Sequence, residues 1–131
     1  MEERFASDPM GTRHWPEEIR LKTGEKVLVV RFDDGRTFTL PAEYLRVESP
    51  SAEVQGHVPG QKQTVWGKAR VGIAGVEPVG HYAIKIRFDD GHDTGIYSWN
   101  YLYELGDRQA EKWAAYLAEL ERLGKPREPR R

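Results

Sequence analysis

Apolar and polar positions alternate in short runs along this chain, and the runs come in two matching sets. Val27 to Phe32 is β-branched and apolar and stops at Asp33-Asp34-Gly35, after which Thr37 to Leu40 resumes the alternation. Tyr82 to Phe88 alternates apolar with basic residues and stops at Asp89-Asp90-Gly91, after which Thr94 to Trp99 resumes it. A period of two marks a half-buried strand. Asp-Asp-Gly marks a tight turn, because Gly accepts positive φ and Asp hydrogen-bonds its own backbone. Val30-Arg31-Phe32-Asp33-Asp34-Gly35-Arg36 thus returns as Ile86-Arg87-Phe88-Asp89-Asp90-Gly91-His92, and each copy leads to a Tyr-Leu pair, Tyr44-Leu45 and Tyr101-Leu102. The pattern predicts two strand–turn–strand units. Short helices close them, Pro41 to Arg46 with proline in its first turn and Asn100 to Leu105. Ile19 to Leu21, before a turn at Thr23-Gly24-Glu25, and Val71 to Glu77 read as further strands.

The period changes after Leu105. Asp107 is placed to cap a helix in which Ala110, Trp113, Ala114, Leu117 and Leu120 recur at helical spacing through Leu123, with Gly124 and Pro126 to stop it. That apolar stripe is narrow and rich in alanine. It suits packing on the chain's own sheet or pairing with a second copy, hence a monomer or a homodimer. Ser49 to Lys68, with Pro50, Gly56, Pro59, Gly60 and Gly67, reads as one long loop, and loops of that length usually carry function or motion. The expected fold class is α+β. It is a single domain, mainly antiparallel, with repeated strand–Asp-Asp-Gly–strand units, short helices and an amphipathic C-terminal helix. Residues 1–14 form a frayed leader, 15–106 the repeated domain, 107–124 the helix and 125–131 a disordered basic tail.

Bulk properties narrow the chemistry. A length of 131 residues fits one domain with a modest core, and 31% charged residues fit a soluble protein. The formal net charge of −1 gives no basic field for nucleic acid. The absence of cysteine excludes disulfides, thiolate zinc sites and cysteine nucleophiles within the chain. Residues 1–13 do not form a secretory signal and no apolar run has membrane-spanning length, so a cytoplasmic protein without a membrane partner is expected.

Few residues suggest a site. The pairs Asp33-Asp34 and Asp89-Asp90 read as turn residues rather than cation ligands, since they lack an alternating ligand pattern after them. His92 with Asp93, joined by His57 and His81, would make a metal site if the fold brought them together; otherwise His92 is a hydrogen-bonded structural residue. Gly56 to Lys62 lacks the Gly-Lys-Ser/Thr of a phosphate loop, leaving Lys62, Lys68 and Arg70 as a basic surface. Tyr97, Trp99, Tyr101 and Tyr103 form an aromatic group suited to the core or, if exposed, to a partner or a methylated ammonium ligand.

Three stretches resemble the gamma-butyrobetaine hydroxylase-like N-terminal domain family: Leu45 to His57, Val76 to Gly80, and Phe88-Asp89-Asp90-Gly91-His92-Asp93-Thr94-Gly95-Ile96-Tyr97-Ser98-Trp99. The resemblance covers residues 15–106. It implies a compact α+β module that occurs alone in bacteria, precedes the oxygenase domain of carnitine-pathway hydroxylases and follows some P-loop scaffold ATPases of iron–sulfur assembly. The hydroxylases' module implies a structural zinc held by three cysteines and a histidine. Those positions fall on Ser49, Ser51, Val54 and His92, so that zinc site is not expected here. The iron and 2-oxoglutarate chemistry of the longer relatives resides in another domain, and an iron label on this family would be inherited from them.

The expectation is therefore a non-catalytic adaptor or binding module without a cofactor, serving an oxygenase or an iron–sulfur assembly factor. Its partner would meet His57, Gln61, Lys62, His92 and Trp99. The alternative is a small metal-binding protein or metal-dependent enzyme using His57, His81, His92 and nearby carboxylates such as Asp93.

Overall fold

A computed structural model describes residues 11–56 and 62–129. Strands β1 (Pro16–Lys22), β2 (Val27–Phe32) and β3 (Thr37–Pro41) form one antiparallel sheet in that order, and helix α1 (Ala42–Val47) comes next. A single turn of helix, α2 (Ala52–Gln55), interrupts the expected loop. Strands β4 (Ile73–Val79), β5 (Ala83–Phe88) and β6 (Ile96–Ser98) form the second antiparallel sheet, again in chain order, followed by α3 (Trp99–Asp107) and α4 (Gln109–Leu123). This is the α+β arrangement of repeated units that the sequence pattern predicts. Among the described residues no helix is long and apolar enough to cross a membrane.

The repeat extends to details. Pro16 pairs with Phe32 across an irregularity before Glu18, and Ile73 pairs with Phe88 across one before Gly75. Such a bulge bends the edge strand and strengthens its twist. Gly35 and Gly91 close the two turns at φ 89° and 93°, a region that glycine enters without steric cost. In each turn the second aspartate accepts a backbone N–H two residues on, Asp34 from Arg36 and Asp90 from His92, both at 3.0 Å.

Both halves feed one core. Leu28, Val30, Phe32, Leu40 and Leu45 from the first pack with Ile84, Ile86, Phe88, Tyr97, Leu102 and Leu105 from the second. Two reciprocal bonds tie the halves: Tyr44 Oη donates to the Leu105 carbonyl at 2.7 Å, and Tyr101 Oη donates to the Glu48 carbonyl at 2.5 Å. The two donors are the tyrosines of the repeated Tyr-Leu pairs, so the same position in each half reaches across to the other. Helix α4 adds a small second cluster in which Tyr116 and Leu120 pack on Val47, with Val65, Trp66 and Trp113 around them.

Four expectations change. Asp107 does not cap α4; it ends α3, and its carboxylate meets Arg36 at 2.8 Å instead. The inner face of α4 is Trp113, Tyr116 and Leu120, because Tyr116 Oη reaches the Val65 carbonyl at 2.7 Å; Ala110, Ala114 and Leu117 lie away from that face. Gly11, Arg13 and His14, placed in the frayed leader by the sequence reading, are held by contacts to α3. Asn100 binds both the Arg13 N–H and the Gly11 carbonyl, and His14 stacks on Tyr103 with ring centres 3.6 Å apart. Lys125 to Glu128 are packed against residues 66–70 rather than disordered. Residues 1–10 of the expected leader lie outside the described residues.

Candidate functional site

The turn between β5 and β6 meets the C-terminal end of α1 and the start of α2, and there the polar groups converge. Asp90 Oδ2 receives Arg46 Nε at 2.8 Å and Lys68 Nζ at 2.7 Å, while its other oxygen receives the His92 N–H. Burial works to raise the pKa of Asp90. The bonds from Lys68, the His92 N–H and Arg46 outweigh it and hold the carboxyl at about 2.

His92 is buried one residue beyond that turn. Its Nε2 lies 2.9 Å from Ser49 Oγ and 3.3 Å from Ser51 Oγ, and its Nδ1 lies 3.5 Å from Glu53 Oε2. A carboxylate beside Nδ1 favours the proton there, which leaves the single Nε2 lone pair to accept from a serine hydroxyl. Burial, then the Arg46 cation, push the imidazole below the ordinary histidine pKa. Gly95 gives Ser49 its room, since a Cβ at Gly95 would stand 2.5 Å from the hydroxyl.

Serine, histidine and glutamate in this order resemble a hydrolytic relay. The access such a relay needs is missing, because Ser49 has no exposed surface and the His92 side chain is 3% exposed. Hydroxyls are also poor zinc ligands beside thiolates. The resemblance-derived positions Ser49, Ser51 and His92 are thus together in space, with Val54 buried nearby in sequence, and they form a closed hydrogen-bonded corner.

The equivalent corner lies on the other half. Tyr103 Oη donates to Asp34 Oδ2 at 2.5 Å, where Arg46 serves Asp90. Arg36, the counterpart of His92, reaches Asp107 at 2.8 Å and Tyr103 at 3.1 Å, and its guanidinium lies over Phe38. Each turn therefore docks on the helix end of the other half. The Asp34 corner is exposed and charged, and the Asp90 corner is buried around the His92 imidazole.

The remaining sequence candidates among the described residues are dispersed. His81 is exposed in the turn before β5, whereas His92 comes after β5, so the strand separates them by about 20 Å. Asp93 is exposed beside His92. His57 and Gln61 lie outside the described residues. Among the described residues no cluster of three histidine, aspartate or glutamate side chains has a geometry for metal. Trp99 is 7% exposed and donates its indole N–H to the His81 carbonyl at 2.7 Å, a core position rather than a surface for a partner. Lys62 is exposed, bonds Glu48 at 2.8 Å and lines a groove of about 350 Å³ with Thr64, Val65, Lys112 and Tyr116. Sequence reasoning did not foresee Arg46 and Glu53 beside His92, nor that Lys68, read as part of a basic surface, would pair with Asp90. The repeated Asp-Asp-Gly-x turn was the available signal, since it fixes where Asp90 must point.

A doubled strand–turn–strand–helix unit with one shared core and two cross-docked corners defines a small α+β module. The chain belongs to the gamma-butyrobetaine hydroxylase-like, N-terminal family, whose model matches residues 19–103. It is similar to two proteins solved in solution by NMR. One is 50% identical, with a TM-score of 0.80 over 92% of this chain and 94% of that one; the other is 46% identical, with 0.78 over 93% and 91%. It is also similar to a crystallised protein of unknown function from Acidithiobacillus ferrooxidans, assigned to the DUF971 family, at 44% identity and a TM-score of 0.59 over 70% and 91%. No curated protein matches.

Proposed function

We propose that the protein is a non-catalytic adaptor that serves an oxygenase or an iron–sulfur assembly factor and docks through the Ser49–Lys68 segment beside the His92 corner. The closure of that corner carries this reading. The one buried histidine among the described residues turns Nε2 toward two serine hydroxyls and has no exposed face for a substrate. Around it the surface is shaped and charged, with Lys62 and Lys112 on a groove beside the same segment. Binding to a protein surface needs such complementarity and no reactive group. The corner then acts as a rigid base that holds the segment in register.

The test is recovery of tagged protein from its native host, comparing wild type with K62A and H92A, followed by reconstitution with the purified partner. The expected result is an oxygenase or an iron–sulfur assembly protein bound by wild type and weakened by K62A, whose side chain is 46% exposed; because Lys62 pairs with the buried Glu48, a thermal melt of K62A first establishes that the variant is folded. Absence of any such protein overturns the reading. So does substrate turnover by the purified chain that H92A abolishes.

A further inference from the structure

The segment after α4 is contacted at every charged side chain from Lys125 to Glu128 by the surface it crosses. Gly124 ends the helix in the left-handed region at φ 66°, and the chain turns back along residues 66–70. The Pro126 carbonyl accepts from the Gly67 N–H at 3.0 Å, and the Arg127 carbonyl accepts from the Ala69 N–H at 2.9 Å. Lys125 Nζ lies 5.0 Å from the centre of the Trp66 ring. Glu128 meets Arg70 at 3.0 Å. The Arg127 guanidinium forks onto both oxygens of Glu43 at 3.0 and 2.7 Å and lies 5.3 Å from the centre of the Trp113 ring. A cavity of about 220 Å³ adjoins the fork, lined by Pro41, Tyr44 and Gln109 as well as these groups.

The two partners of the fork differ in kind. Glu43 belongs to α1 and its side chain is 9% exposed; Arg127 arrives on an exposed segment and its side chain is 47% exposed. A buried carboxylate left without a cation is costly, and a planar guanidinium on an aromatic face satisfies it best. Main-chain bonds to an extended segment, with pockets for selected side chains, are a general mode of peptide recognition.

We propose that Glu43, Trp113, Trp66 and the 67–70 backbone form a recognition seat for an extended, arginine-bearing segment of a partner protein. The pattern read is a cation, a spacer, arginine and an acid. Lys125 to Glu128 fills the seat in cis, so an incoming segment must displace it. The seat shares Trp66 and the backbone of Gly67 and Lys68 with the Ser49–Lys68 docking segment. It shares neither Lys62 nor His92, so the failure of one proposal is distinguishable from the failure of the other.

The probe is the synthetic peptide Gly-Lys-Pro-Arg-Glu-Pro-Arg-Arg, titrated into full-length protein and followed by NMR at the Trp113 indole and the Gly67 and Ala69 amides. R127A, with its seat unlocked, is expected to bind and shift all three signals. Wild type, already occupied, and the double variant E43Q/R127A are expected to bind at least about tenfold more weakly. Failure of folded R127A to bind overturns the proposal, as does equal binding by E43Q/R127A. A wild-type dimer that R127A converts to monomer would place a second copy's segment in the seat and also overturn it. Hydrogen exchange in wild type decides the matter without a variant. The Gly67 and Ala69 amides should exchange at least about tenfold faster than those of β2, because the segment opens locally; exchange in step with β2 would make it a permanent part of the fold.

Discussion

Asp90 is the residue on which the buried corner turns. It holds two cations and fixes the backbone of His92 with one carboxylate, and its side chain is 18% exposed. Its pKa of about 2 lies below the unfolded value, so its stabilising contribution is complete above about pH 4 and is lost as pH falls through 2. D90N keeps the acceptor for the His92 N–H and removes the counter-charge of Arg46, which is 11% exposed. The expected loss is about 2 kcal/mol at pH 7, shrinking as pH falls and vanishing below about pH 2, where wild type also loses the charge. Urea midpoints across that range test it, and a loss independent of pH would contradict it. His92 has the same sign with a different window. Its pKa is depressed below the unfolded value, so the neutral ring favours the fold above about pH 6.5 and that contribution is lost as pH falls through the folded value. NMR titration of its ring should give a midpoint below about 6.5, and a midpoint above that would refute the buried, cation-flanked environment. The sequence weighed His92 as a metal ligand against a structural histidine, and the geometry shows what holds it. Ser49 and Ser51 entered only through family resemblance, because more than forty residues and an irregular loop separate them from His92 in the chain.

Elements were legible where periodicity is strong. Val27 to Phe32 and the two turns needed only alternation and Asp-Asp-Gly to be placed. The boundary between α3 and α4 was not legible. Asp107 looks like a cap, yet it pairs with Arg36, a residue of the other half that local patterns cannot bring near. Burial on α4 was misassigned for a similar reason: Ala114 and Leu117 share the helical spacing of a core stripe, but the loop that α4 packs on presents Val65 and Trp66 to Tyr116. Helix α3 makes a sharper demand that the sequence also hides. A Cβ at Gly106 would stand 2.2 Å from the Phe38 ring, in the contact between α3 and β3. The atom met is the root of a packed ring and cannot swing aside. G106A should therefore cost about 3 kcal/mol, whereas G24A, with nothing within 4 Å of its Cβ, should change stability by less than about 0.5 kcal/mol. Thermal melts of the two variants separate these outcomes, and equal effects would place α3 wrongly on β3.

At the scale of the whole molecule, each sheet is built from neighbouring strands, so each half has its local pairings complete within itself. A chain of two such halves could unfold in two steps. Three features argue against that. The core is continuous, with Leu28, Val30 and Phe32 packed in the same cluster as Ile84, Ile86 and Phe88. The corners are crossed, so the turn of each half is anchored on the helix end of the other. The Tyr44 and Tyr101 hydroxyls cross as well, and each leaves a carbonyl of the opposite half unsatisfied if it is removed. Neither three-stranded sheet alone would cover its apolar face, and a domain of this size usually unfolds in one cooperative step. I86A, at a position with no exposed surface, should then lower the stability of both halves together by about 2 to 5 kcal/mol. The decisive comparison is between backbone circular dichroism and residue-specific NMR signals in urea, read for β2 and β5 separately. Coincident midpoints in wild type and in I86A are expected. If β5 lost its signals while β2 kept them, the shared core would be energetically divided, and the crossed contacts would be consequences of the fold rather than what joins its halves.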